Sequence, residues 1–411
     1  MRVRVCTDIL RASNRAMTLA GQLRRTESTR RPRVVHVINS LSTGGAETAL
    51  ARLVGAADSS RFEHIVLPLR EGGPVAERVH ETGALTEALH VDGPLHLLTA
   101  PVRLAARLRK LRPDLVQGWL LQGNLAATVG TSLSLLRAPV LWNVRWTLYD
   151  VDSERPSTRT LLRVSGQLAR QPRCIIYNSR LAVSQHAAIG YPPGRGRVIP
   201  NGFDVEHFHP DPAAREAVRR ELGIPADAVV LGMVARYHPM KDHAMSLRAA
   251  ARIVERGTNA VFVYAGRGVD ARNEELTRPI KAMGLGGRVR LLGERQDVAR
   301  LYASFDVYWM SSVARGITEG FPNALAEAMA CGVPCVATNI GDAPSIIGQT
   351  GRVVPSQDWR AFGDATAELL EAGPATLRGL GKEARARIER GFSLEAMADA
   401  YQTLYGEILA Q

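Results

Sequence analysis

From Arg33 onward, short apolar, β-branched runs alternate with longer segments of helical periodicity. Val34-Val35-His36-Val37-Ile38 is a nearly continuous apolar run, the form a strand takes when both its faces are buried. The spacing over Glu47–Val54 predicts the helix that follows it. Further strands are expected at His64–Leu67, Asp114–Gln117, Pro139–Trp142, Cys174–Tyr177 and Val198–Ile199, with helical periodicity filling most gaps between them. Such alternation builds βαβ units on a buried parallel sheet.

The pattern breaks at Ile199-Pro200-Asn201-Gly202-Phe203-Asp204 and His209-Pro210-Asp211-Pro212, where Pro, Gly and Asn cluster. It resumes with Val229–Val234, Val261–Ala265, Val289–Leu292, Asp306–Trp309, Pro334–Ala337 and Arg352–Val354. The chain therefore reads as an α/β protein of two halves facing a central cleft. We expect a leader over residues 1–32, a first domain over 33–203, a second over 204–392 and a terminal amphipathic helix over 393–411.

Composition narrows this picture. Hydrophobic residues make up 45% and charged residues 22% of 411, so both halves have the means to bury a core. Four cysteines are too few for a disulfide scaffold, and Cys331-Gly332-Val333-Pro334-Cys335 has neither redox nor zinc spacing. The longest uncharged run, Leu115–Leu136, contains Gln117, Gln122 and Asn124 and is too polar to span a membrane. A cytoplasmic protein fits these features. The net charge is +12, but residues 1–33 hold nine arginines against Asp8 and Glu27. More than half the excess thus sits in residues 1–33, and nucleic acid is not expected as a partner. Only four of the 52 basic residues are lysine, which makes each lysine more informative.

In open α/β sheets ligands lie beyond the carboxyl ends of the strands. Three motifs stand there. Gly44-Gly45-Ala46-Glu47 follows the first strand and opens a helix, so backbone can approach a ligand closely and free amides suit an anion. Arg236 and Lys241 follow the first strand of the second half, where a bidentate fork and a point charge can clamp a diphosphate. Glu319-Gly320-Phe321-Pro322-Asn323-Ala324-Leu325-Ala326-Glu327 places one glutamate in a loop and another about one turn into a helix, with Asn323 as its cap. Free amides around Phe321, Asn323 and Ala324 suit hydroxyls or phosphate oxygens.

With these segments, joined by Asn178-Ser179 and Val198-Ile199-Pro200-Asn201-Gly202-Phe203-Asp204, the chain resembles the family 4 retaining glycosyltransferases over roughly residues 33–409. The resemblance implies the GT-B fold of two Rossmann-like domains, with the C-terminal helix crossing back to the first. It implies an acceptor in the first half and a nucleotide-diphosphate sugar in the second. Arg236 and Lys241 would hold the diphosphate, Glu319 the transferred sugar and Glu327 the ribose hydroxyls. Gly44 and Gly45 would lie against donor and acceptor. A retaining, metal-independent transfer without cofactor follows, in which cations take a metal's electrostatic part. The acceptor would be a glycan or lipid-linked oligosaccharide of cell-surface polysaccharide or glycolipid assembly.

There are departures. Many relatives place a histidine after the fourth strand, where this chain has Gln117 and Gln122. Gln122 is retained as a sugar contact, and Arg145 and Asp342 as further cleft candidates. His36 and His186 read as core histidines. The stretch from Ser311 to Thr318 is longer than usual. Arg103, Arg107 and Lys110 lie beside Leu104, Leu108 and Leu111, a pattern that suits peripheral contact with an anionic inner leaflet. Two other functions share the architecture: a nucleotide-sugar epimerase, which needs no acceptor, and a non-catalytic sugar-nucleotide or glycan-binding protein.

Overall fold

A computed structural model describes residues 30–42, 44–91, 96–149, 151–152, 154–314 and 317–411. The expected leader lies outside these residues as far as residue 29, and so does Thr43. The strands of the first half are β1 (Arg33–Ile38), β2 (Glu63–Pro68), β3 (Leu85–Thr86), β4 (Leu115–Trp119), β5 (Val140–Val144), β6 (Trp146–Leu148), β7 (Cys174–Tyr177) and β8 (Gly196–Val198). Those of the second half are β9 (Val229–Val234), β10 (Ala260–Ala265), β11 (Val289–Leu291), β12 (Val307–Met310), β13 (Ile317–Glu319), β14 (Cys335–Thr338) and β15 (Arg352–Val354). Six helices matter for the site: α1 (Gly45–Ala56), α2 (His96–Leu111), α3 (Leu120–Ser134), α4 (Arg180–Ala187), α5 (Asn323–Ala330) and α6 (Leu394–Leu409).

Two parallel sheets result, in the orders β3-β2-β1-β4-β5-β7-β8 and β11-β10-β9-β12-β14-β15. Each has its first strand inside the sheet, so chain direction reverses beside β1 and beside β9. That reversal leaves a crevice at the strand ends, where a ligand can enter. The central strands are buried on both faces, which explains their unbroken apolar sequence. Gly123 fits only as glycine, because a Cβ there would meet the Val37 carbonyl oxygen at 2.5 Å. Helix α3 can therefore start close against β1.

The terminal helix α6 belongs to the core of the first half. Met397, Ala398, Tyr401, Leu404 and Tyr405 pack with Val34, Leu50, Trp119 and Ile176. Ser393 caps it, accepting from the Ala396 amide at 3.2 Å.

A third, two-stranded sheet was not foreseen. β6 from the first half pairs antiparallel with β13 from the second: Trp146 with Glu319, Thr147 with Thr318 and Leu148 with Ile317. The long stretch before Glu319 ends in this strand, so Glu319 sits in a ladder and not in a loop.

The apolar stripe of α2 packs on the sheet. Leu104, Leu108 and Leu111 are buried in the core. Arg103 donates to the Leu89 carbonyl at 3.0 Å, and Arg107 pairs with Glu87. Two of the three cations thus pin the 87–90 segment to the helix.

Candidate active site

A cavity of about 370 Å³ opens where the two sheets' strand ends face each other. Its second-half wall comes from Met233, Val234, Ala235 and Arg236 at the end of β9, from Lys241, and from Tyr308–Met310 of β12. Pro322, Asn323, Ala324 and Glu327 close the side at α5, with Tyr302 and Val298 below. Gly44 and Gly45 form the facing wall.

Local chemistry sets each group. Lys241 ends a single 3-10 turn, Pro239–Lys241, in which His238 Nδ1 accepts from the Met240 amide at 3.2 Å. Asp242 then adopts left-handed φ 46° and caps the next helix by accepting from the Met245 amide at 3.0 Å. The Ser311 hydroxyl donates to the Lys241 carbonyl at 2.8 Å, so the turn is tied to the end of β12. Burial, and then the neighbouring Lys241 charge, lower the His243 pKa to about 4, so that ring stays neutral beside the clamp.

On the facing wall Gly44 is extended at φ −168° and is the residue before α1. A Cβ there would overlap the Glu47 carboxylate, which folds back over the helix start. Burial raises the Glu47 pKa. A Cβ on Gly45 would lie 3.6 Å from Asn323 Nδ2, in ordinary van der Waals contact, so the two walls come close together here.

The structure therefore brings together Gly44, Gly45, Arg236, Lys241, Asn323, Ala324 and Glu327. The backbone of Glu319 lies in β13, and its side chain lies outside what is described. Phe321 turns its ring into the second-half core, stacked on Phe203 at 5.8 Å. Asn323 does not cap α5. Pro322 occupies the capping position, and the Asn323 side-chain oxygen accepts from Asn201 Nδ2 at 2.6 Å.

Three candidates stand apart from the cavity wall. Arg145 is buried, donates to Asn201 Oδ1 at 2.8 Å and lies over the Trp119 ring at 5.2 Å. Asp342 Oδ1 accepts from the Ser179 hydroxyl at 2.7 Å and Oδ2 from the Arg180 amide at 3.0 Å, so this second-half carboxylate caps α4 of the first half. Gln122 is half-buried on α3 and outside the residues lining the cavity. Gln117 is fully buried and accepts from the Tyr405 hydroxyl at 2.7 Å. His36 receives the Trp119 indole N–H at 3.2 Å and stacks on His64, as a core histidine should.

Sequence reasoning gave no role to Arg52, Tyr302 and Asn201. Arg52 NH2 donates to Glu327 Oε1 at 3.3 Å, and the Tyr302 hydroxyl to Glu327 Oε2 at 3.3 Å. Burial, followed by the Glu327 charge, raises the Tyr302 pKa well above its ordinary value. Asn201 stood inside a matching segment, which was its only signal.

A family model described as Glycosyltransferase Family 4 matches residues 43–207, and one described as Glycosyl transferases group 1 matches residues 228–372. The D-inositol 3-phosphate glycosyltransferase of Corynebacterium jeikeium is 30% identical over 293 residues, which are 65% of this chain and 68% of that protein. The UDP-Gal:alpha-D-GlcNAc-diphosphoundecaprenol alpha-1,3-galactosyltransferase of Escherichia coli is 29% identical over 217 residues, 52% of this chain and 54% of that protein. Among the first curated relatives, the chain spans from 36% to 68% of the relative's own length. The crystal structure of Anabaena Alr3699/HepE in complex with UDP matches with a TM-score of 0.79 at 22% identity, over 91% of this chain and 100% of that one. At that identity the likeness concerns the fold.

Proposed function

The chain belongs to the family 4 glycosyltransferases, and on that premise we propose that it moves a sugar from a nucleotide-diphosphate sugar to a glycan or lipid-linked acceptor, with retention of configuration and without metal or cofactor. One observation carries the reading. Arg236, Lys241 and Glu327 line one cavity whose opposite wall is Gly44-Gly45. Two cations at strand ends match a diphosphate, and a carboxylate on a helix matches a hydroxylated ribose. A relative whose name specifies UDP-Gal and a lipid diphosphate, and a neighbour crystallised with UDP, favour such a donor and acceptor.

In this mechanism the diphosphate leaves along Arg236 and Lys241, which neutralise the charge that develops on it. Glu319 holds the transferred sugar. The acceptor enters past Gly44 and Gly45, on the same face as the leaving group, and its proton passes to the departing phosphate oxygen. The cations supply without reorganisation what a metal supplies elsewhere.

The proposed location is cytoplasmic, with peripheral contact on an anionic inner leaflet. No helix among the described residues is long and apolar enough to cross a membrane. The seat proposed for that contact is the exposed side of α2, with Arg103 and Lys110.

A panel of nucleotide-sugars read by thermal shift tests the donor, because a ligand bound only by the folded state must raise the melting temperature. Product analysis with donor alone tests the transfer. Free epimerised nucleotide-sugar would replace the proposal with the epimerase. Donor binding without turnover across a glycan and lipid-linked acceptor panel would replace it with a binding protein.

A further inference from the structure

Glu327 faces the cavity, yet both its oxygens already have partners. Arg52 NH2 donates to Oε1 at 3.3 Å and the Tyr302 hydroxyl to Oε2 at 3.3 Å. Tyr302 and Glu327 belong to the second half, whereas Arg52 reaches over from α1 in the first. Arg52 is itself held in place. It donates to the Gly202 carbonyl at 3.2 Å, and its guanidinium lies 5.2 Å from the Phe203 ring centre. The two charged side chains are only 13% and 15% exposed. A pair this shielded differs from a surface salt bridge, because truncating one partner leaves the other charge desolvated and alone.

A carboxylate offers about four lone-pair sites. Arg52 and Tyr302 use one on each oxygen, which leaves one on each oxygen still open. A ribose presents two neighbouring hydroxyl donors, so the remaining sites match it in number. Held on both oxygens, the carboxylate plane is fixed against rotation. Arg52 also offsets the Glu327 charge, which would otherwise repel a diphosphate in the same cavity.

We infer that Arg52 is a positioning residue for nucleotide binding: from the acceptor half it fixes the Glu327 carboxylate, so the nucleotide is gripped fully only when the two halves are together. The inference rests on Glu327 receiving the ribose, as proposed above. It assigns to α1 a part in donor recognition that the glycines at its start do not require. Because coupling of this kind is reciprocal, bound nucleotide also favours the closed arrangement.

The test is a mutant cycle on the full chain, read by calorimetric titration with uridine, guanosine and adenosine diphosphates. Against the diphosphate that wild type binds, Arg52→Ala should lose about tenfold in affinity, the effect of one charge-assisted contact. Arg52→Lys should recover part of that loss. In a Glu327→Ala background, Arg52→Ala should add less than about twofold, since coupled positions are not additive. A general structural role for Arg52 would give additive losses instead, and additivity or an unchanged affinity in Arg52→Ala overturns the inference alone. A wild-type chain that binds none of the three diphosphates overturns the ribose reading together with it. If the alanine variant does not fold, Arg52→Gln takes its place in the same cycle.

Discussion

The two sides of the cleft use cations in opposite ways. In the second half, Arg236 and Lys241 line an open cavity. In the seam between the halves, Arg52 is engaged by Glu327 and the Gly202 carbonyl, and Arg145 by Asn201. In the proposed function the first pair meets a ligand that comes and goes. The second pair holds the chain to itself. Arg145 shows the cost of that duty: burial lowers its pKa, the nearby Tyr401 and Tyr405 work against the shift, and among the described residues no carboxylate pairs with it. In a chain so rich in arginine, charge alone is thus a poor guide to function. What separates the two sets is where they stand: one lines a cavity, and the other lies in the seam between the halves.

The strongest challenge to this contrast is Lys241→Ala. If the lysine serves the leaving diphosphate, kcat/KM should fall by about 10²- to 10³-fold, measured by initial rates over a donor series. An unchanged kcat/KM would remove Lys241 from the donor site.

Acid should separate the halves next. Burial lowers the pKa of His64 and His186 to about 4 and that of His36 well below 6.5, and all three are in the first half. In the second half His243 is shifted in this way, again to about 4. These rings stay neutral in the native state, whereas in the unfolded chain they protonate near 6.5. The unfolded state therefore binds more protons as pH falls below 6.5, and stability drops until about pH 4, by on the order of 1 kcal/mol per histidine per pH unit. Tryptophan fluorescence and amide exchange against pH should show the first half loosening before the second.

Glu327→Ala should raise the donor KM about tenfold, measured by initial rates over a donor series. A change confined to the acceptor KM would move Glu327 out of the donor site. The smallest expected effect is that of Asp342→Ala. Removing its contacts with Ser179 and the Arg180 amide at the start of α4 should cost about 1 kcal/mol in urea unfolding, with the donor KM unchanged. A large donor effect would return Asp342 to the cavity wall.

The central strands of both sheets were legible because a doubly buried strand must be apolar along its whole length. Gly44, Gly45, Arg236, Lys241 and Glu327 were legible because each follows a strand or sits on the helix after one, where chain topology delivers it to the cleft. β6 and β13 were not. Each is three residues long, and what makes it a strand is a partner far away in sequence. Asn323 misled because asparagine before an apolar run resembles a cap, but Pro322 precedes it and Asn201 claims its side chain. Arg52 was hidden for a related reason. A charge on an amphipathic helix reads as solvated surface, and only the approach of the second half shows otherwise.

The ladder between β6 and β13 has a kinetic meaning. Its rungs are main-chain bonds joining Trp146–Leu148 to Ile317–Glu319, so parting the halves at this edge means breaking whole hydrogen bonds in succession. Separation becomes an unzipping with discrete stops, unlike a free swing about the Ile199–Asp204 linker. If Glu319 holds the transferred sugar as proposed, then, since it is itself a rung, a bound sugar and the zipper share a residue, and the rate at which product escapes is tied to the order in which the rungs let go.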